Sequence, residues 1–213
     1  MTDNPYDQRI DYTKNNYLED KDLPDNPFPL FEGWYQVALK RIHPDPNAMV
    51  LSTLKDGQPR GRVVLLKQMD KKGFTFFTNY DSAKAQEIAQ DPKGSLTFFW
   101  NTLERQIRIE GSIVKIADKE SDEYFMSRPI GSRIGAWASP QSSEIKTRKE
   151  LEDRVRKIQE KFKGEEVVRP QNWGGLRLEP HYFEFWQGAS SRLHDRIVYE
   201  LDKGVWKQKR LAP

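Results

Sequence analysis

The segment RQIRIEGSIVKI, residues 105–116, constrains this chain more than any other. Its side chains alternate strictly, with Gln106, Arg108, Glu110 and Ser112 on one face and Ile107, Ile109 and Ile113 on the other. A period of two belongs to a β-strand with one face in a core. Similar signals recur at short intervals. AMVLSTLK (48–55) meets an Asp-Gly turn and then RGRVVLLK (60–67), a hairpin pattern. FTFFT (74–78), SLTFFW (95–100), LRLEPHYFEFWQ (176–187), SRLHDRIVYEL (191–201) and a last run ending in RLAP follow, giving about seven short strands joined mainly by tight turns. Helical spacing is expected at 31–42 (Trp34, Val37, Ala38, Leu39), 82–90 with Ser82 as cap, 118–128 and about 143–162. Residues 127–145 read as a connector, Gly-rich from Ile130 to Pro140. The expected class is antiparallel β with accessory helices, a barrel or closed sheet. Residues 1–30 read as an extended arm, with a short helix around Pro5 to Asn16, and 31–213 as a single domain.

Composition narrows the function. With 35 Lys and Arg against 32 Asp and Glu, the chain lacks the basic excess of a general nucleic-acid coat. It has no cysteine, which excludes disulfides, thiolate metal sites and cysteine nucleophiles. Three histidines without metal-ligand spacing leave a metal hydrolase poorly supported. The N-terminus has no apolar core for a signal peptide, and no apolar run is long enough for a membrane span. A soluble cytoplasmic protein is expected.

The cations are placed unevenly. Arg62 and Lys67 bracket an apolar run that reads as a strand buried on both faces. They are either snorkelling charges or the rim of a barrel mouth. Lys84 falls in the first turn of a helix, where the dipole disfavours it unless an anion is bound there; a solvated lysine is the alternative. In RLHDR, Arg192, His194 and Arg196 would share one strand face, either a wet basic edge or an anion site, with Asp195 turned away to pair across the sheet. Trp100, Trp173 and Trp186 read individually as core.

In order along the chain, RVVLLK, FFTNYDSAK, LERQIRIEG, YFMSRPIGSRIGAWASPQSS, NWGGLRLEP, EFWQG, RLHDR and RLAP resemble the pyridoxamine 5′-phosphate oxidase family. The likeness runs from about Arg9 to Pro213. It implies a split β-barrel homodimer with FMN at the subunit interface. It also implies oxidation of pyridoxine phosphate and pyridoxamine phosphate to pyridoxal phosphate, with dioxygen as the final acceptor and hydrogen peroxide as product.

The resemblance further implies FMN contacts from Arg62, Val63, Val64, Leu65, Leu66, Lys67, Phe77, Thr78, Ala83 and Lys84 of one subunit. Gln106, Gln141, Ser142, Trp186 and Arg196 would come from the other. Substrate contacts would be Lys67, Tyr124, Arg128, Ser132, Arg192, Leu193 and His194, with Arg9, Ile10, Asp11 and Tyr12 as a lid. Arg192 and His194 would position the substrate ring and assist proton removal at C4′, and Arg196 would stabilise the reduced flavin. Two positions depart from the family pattern: Phe77 stands where many members have Tyr, and Ala83 where many have Arg, removing one cation from the phosphate site. The rival readings are a split-barrel flavoprotein acting on another ring system and a β-barrel binding single-stranded nucleic acid.

Overall fold

A computed structural model describes residues 11, 12 and 17–213. Arg9, Ile10 and the helix expected around Pro5 to Asn16 lie outside the described residues. Among the described residues nine strands pair in the order β2-β1-β5-β6-β7-β4-β3, with β8 on β7 and β9 on β8. They are β1 Ala48–Lys55, β2 Gln58–Leu65, β3 Gln68–Asp70, β4 Gly73–Asn79, β5 Lys93–Trp100, β6 Arg105–Lys115, β7 Trp173–Gln187, β8 Asp195–Asp202 and β9 Val205–Leu211. The helices are α1 Pro27–Arg41, α2 Ala83–Gln90, α3 Asp118–Ser127, α4 Ile130–Ala138 and α5 Arg148–Lys161. The pairings β3–β4, β4–β7, β7–β8 and β8–β9 are antiparallel, as expected for the class.

By internal contact the chain falls into two compact units. The first holds α1, Ser95–Glu110 and Pro180–Pro213. Its core joins Phe31 and Trp34 of α1 to Phe98 and Phe185 through edge-on ring contacts at 5.4 Å. α1 begins four residues before the expected start. Asn26 accepts a hydrogen bond from Phe28 N and Pro27 takes the first helical position, a start signal that had read as part of a proline-rich arm.

The second unit holds Leu51–Gly94 and Gly111–Glu179. β4, between β7 and the short β3, is buried almost throughout, with Phe74 paired to Leu178 and Asn79 to Trp173. The doubly buried strand expected at RVVLLK is therefore β4 instead. β2 stands at the end of the strand order, its residues are exposed or half-buried, and Val63 is 66% exposed. The Gly-rich connector also differs, because Ile130–Ala138 is helical. Gly131 and Gly135 have open space around them, and Ile134, Ala136 and Trp137 pack on the cluster of Phe125, Val167 and Trp173. That apolar face outweighs the glycine penalty.

β6 keeps the alternation read from sequence, with Ile107, Ile109 and Ile113 buried. β8 does not begin where expected. Ser190–Arg192 forms a 3-10 turn in which Ser191 and Arg192 have φ of 55° and 61°. Two successive left-handed residues depart from extended backbone, so the strand starts at Asp195 and the shared strand face of Arg192, His194 and Arg196 does not exist.

Candidate active site

The second unit contains a cleft of about 520 Å³. Eleven residues expected from sequence line it: Val63, Val64, Leu65, Lys67, Phe77, Thr78, Lys84, Tyr124, Arg128, Ser132 and Gln141. Two more, Pro129 and Trp173, complete the lining. The volume suits a small-molecule ligand. Among the described residues, three cations and no carboxylate line the cleft.

Each wall has a local cause. Phe77, Tyr124 and Trp173 form a stack, with Phe77 and Tyr124 centroids 3.8 Å apart and Phe77 and Trp173 5.4 Å apart. Phe77 and Trp173 are brought together by the β4–β7 pairing, and Tyr124 comes from α3. Close approach is possible because Gly174 and Gly175 carry no side chain; a Cβ on Gly175 would lie 3.0 Å from the Phe77 ring and 2.3 Å from Ile116. Arg128 follows α3 and lies over Trp173, 4.6 Å from its centroid. Its Nη1 is buried and has no hydrogen-bond partner. Burial pushes this guanidinium down, against the opposing effect of Tyr124, and burial pushes the Tyr124 phenol up, so it remains a donor.

Lys84 lies where α2 begins, 3.3 Å from Thr78 Oγ1 and 3.5 Å from Ser82 Oγ. Burial and the charge of Arg62 lower its pKa, with Glu87 opposing. A cation held in a partly buried site beside another cation is the arrangement an anion relieves. Ser82 occupies the N-cap position of α2, but its hydroxyl donates to Asn79 O. Gln141 Oε1 accepts from Thr78 Oγ1 at 3.1 Å and Asn79 N at 3.2 Å, so within one chain it already belongs to this cleft.

Arg62 is held elsewhere. Its Nη2 donates to Glu87 at 2.6 Å and its Nη1 to Thr53, and it does not line the cleft. Burial of Glu87 would raise its pKa, but hydrogen bonds from Thr53 and Arg62 hold the carboxyl below its usual range. Leu66 is buried, and Ala83 and Ser142 are exposed, outside the cleft lining.

The remaining expected residues among those described lie in the first unit. Asp195 accepts from Leu18 N and Arg210, as the cross-sheet pairing predicted. Trp186 and His194 are 4.7 Å apart between ring centroids, and Tyr12 meets both edge-on. His194 Nδ1 accepts the Ala189 N–H at 3.1 Å. Asp11 Oδ1 accepts from Ser191 N in the left-handed turn. Arg192 and Leu193 are exposed on that turn, and Gln106 is half-buried on β6. Arg196 Nε donates to Glu184 Oε1 at 2.8 Å. Glu184 went unread in the sequence, although its place two residues from Tyr182 and from Trp186 puts all three on one face of β7.

Comparison with known proteins identifies the family. A model described as pyridoxamine 5′-phosphate oxidase matches residues 36–162, and one described as the pyridoxine 5′-phosphate oxidase C-terminal dimerisation region matches 173–213. The chain belongs to the pyridoxamine 5′-phosphate oxidase family. A pyridoxine/pyridoxamine 5′-phosphate oxidase of Pseudomonas fluorescens is 50% identical over all of both chains. One from Synechocystis is 49% identical over 97% of each. Among solved structures, PhzG from Burkholderia lata, in complex with tetrahydrophenazine-1-carboxylic acid, matches with TM-score 0.86 and 32% identity, covering 93% of this chain and 98% of its own. A pyridoxamine 5′-phosphate oxidase-related, FMN binding protein from Nostoc punctiforme shares the fold at TM-score 0.70 and 16% identity, over 90% of this chain and all of its own. The split-barrel class is that of the family, and the aromatic stack and the cations of the cleft fall within its first matched region or at Trp173, the first residue of the second.

Proposed function

We propose that this chain is an FMN-dependent oxidase of pyridoxine 5′-phosphate and pyridoxamine 5′-phosphate, forming pyridoxal 5′-phosphate. One observation carries the reading: in a member of this family, Lys67, Lys84 and Arg128 converge on a cleft with no carboxylate among its described lining residues, and Arg128 Nη1 is buried without a partner. Such a donor set fits phosphate, which a planar guanidinium and fixed hydroxyls recognise. Lys84, with Thr78 and Ser82 around it, would hold the FMN phosphate. Lys67, Tyr124, Arg128 and Ser132 would hold the substrate phosphate. Arg62, bound to Glu87, supports the first set from behind.

Bound FMN would supply the hydride acceptor for the substrate C4′, with dioxygen as the final electron acceptor and hydrogen peroxide as product. The chain binds, aligns and manages protons. With Nδ1 of His194 engaged by Ala189 N–H, the neutral imidazole carries its proton on Nε2. His194 is then a donor to a substrate oxygen, and removal of a proton by His194 would require the Ala189 bond to break. Arg192, on the turn, would position the substrate ring with His194, and Leu193 would contact it. We further propose a homodimer, in line with the dimerisation region matched at 173–213, in which Gln106, Trp186 and Arg196 of one copy complete the cleft of the other. Among the described residues no helix is long and apolar enough to cross a membrane, and we place the enzyme in the cytoplasm.

The deciding experiment is a visible spectrum of protein loaded with FMN, made anaerobic and given pyridoxine 5′-phosphate. Bleaching, with colour returning in air, is expected. A yellow protein that stays yellow removes the substrate assignment, and a protein that takes up no flavin removes the cofactor.

A further inference from the structure

Glu184 is 5% exposed on β7, in the register that pairs it with Val198 and pairs Trp186 with Arg196. Its carboxylate accepts three hydrogen bonds, from Arg196 Nε at 2.8 Å, Arg108 Nη2 at 3.0 Å and Tyr182 Oη at 3.2 Å. Arg108 also donates to Tyr182 Oη at 3.1 Å, and its Nε lies 3.4 Å from the more open carboxylate of Glu110. Burial opposes ionisation of Glu184, but the Arg196 hydrogen bond and the charges of Arg108 and Arg196 hold the carboxyl below its usual range. Arg196 gives its Nη1 to Ala212 O at 3.0 Å. Two of its three nitrogens are thus fixed by the fold, leaving Nη2 for a ligand.

Resting on the FMN reading above, we propose that Glu184 is a positioning residue that aims Arg196 and sets the net charge this cluster presents to the flavin. Two half-exposed guanidiniums share the buried carboxylate of Glu184, and the more open Glu110 faces Arg108, so the four charges nearly balance and loss of the Glu184 charge leaves the cluster positive. A flavin gains negative charge on reduction, and a nearby fixed cation favours the reduced form. Glu184 therefore restrains how far Arg108 and Arg196 raise the potential, while keeping Arg196 in one orientation. Glutamine at this position removes the counter-charge and turns an amide donor toward one of the two guanidiniums.

The test is the midpoint potential of bound FMN, measured on the holoenzyme by anaerobic dye-coupled titration, with the FMN dissociation constant from fluorescence quenching alongside. Glu184→Gln should raise the potential and Arg108→Gln should lower it, while Glu184→Asp, which keeps the charge, should stay near the unmodified protein. Shifts of opposite sign support the proposal. Unchanged potentials, or shifts of the same sign, overturn it even if both variants bind FMN more weakly, since weaker binding alone is what a merely structural role gives. Should Glu184→Gln fail to fold, a lowered potential in Arg108→Gln with an unmoved Glu184→Asp supports it, and no lowering overturns it. An unmodified protein that binds no FMN removes the functional reading, and this proposal with it.

Discussion

Arg128 and Glu87 show how differently two charged side chains are used here. Arg128 keeps a buried Nη1 without a protein partner, above the Trp173 ring. Arg128→Lys keeps the charge but loses the planar fork, so the KM for pyridoxine 5′-phosphate should rise about tenfold while FMN affinity is unchanged. A KM within twofold of the unmodified value would remove Arg128 from the substrate phosphate site. Glu87, 3% exposed, is tied to Arg62 and Thr53. Removing one member of such a pair strands the other, so Glu87→Gln should lose about 3 kcal/mol in urea unfolding at pH 7. The folded carboxyl lies below its ordinary value of 4.5, so its contribution is present above that pH and lost as pH falls through the lower folded value. The gap between the two proteins should therefore close in acid, and a gap that widens there would contradict the pairing. Most cleft residues were legible because the family motifs carry them in order. The two buried carboxylates were not, since their partners come from strands and helices distant in sequence.

Among the elements, legibility followed periodicity. β6 kept its predicted faces because strict alternation leaves one way to bury Ile107 and Ile109. β8 and α4 departed from expectation where backbone conformation or tertiary packing decides. Nothing in the letters SSRLHDR states that Ser191 and Arg192 are left-handed, and the glycines of 130–138 masked a helix whose apolar face meets Phe125 and Trp173. Glycine has a harder role in β6. A Cβ on Gly111 would lie 2.1 Å from the backbone oxygen of Glu179, which no rotamer can relieve. Gly111→Ala should cost on the order of 2 kcal/mol, read as an earlier denaturant midpoint with FMN chemistry intact in the folded fraction. An unshifted midpoint would mean that β6 and β7 can separate there.

The whole molecule leaves large apolar side chains in contact with solvent, Val63 at 66% and Phe99 at 57% among them. A second copy would cover such surface, in keeping with the matched dimerisation region. Sedimentation equilibrium should give twice the chain mass, and Phe99→Asp should shift the population toward single chains and weaken FMN binding with it. A single-chain mass for the unmodified protein would refute the shared site. Assembly was legible only through the family resemblance, because no local pattern in one chain states what covers a face. Trp173 has a practical consequence of its own. Of the chain's six tryptophans it is the one stacked in the cleft wall beneath Arg128, so ligand entry changes the field around its indole. The emission lost between the native chain and a Trp173→Phe variant is a label-free optical reporter, which would follow filling of the cleft in real time before any chemistry begins.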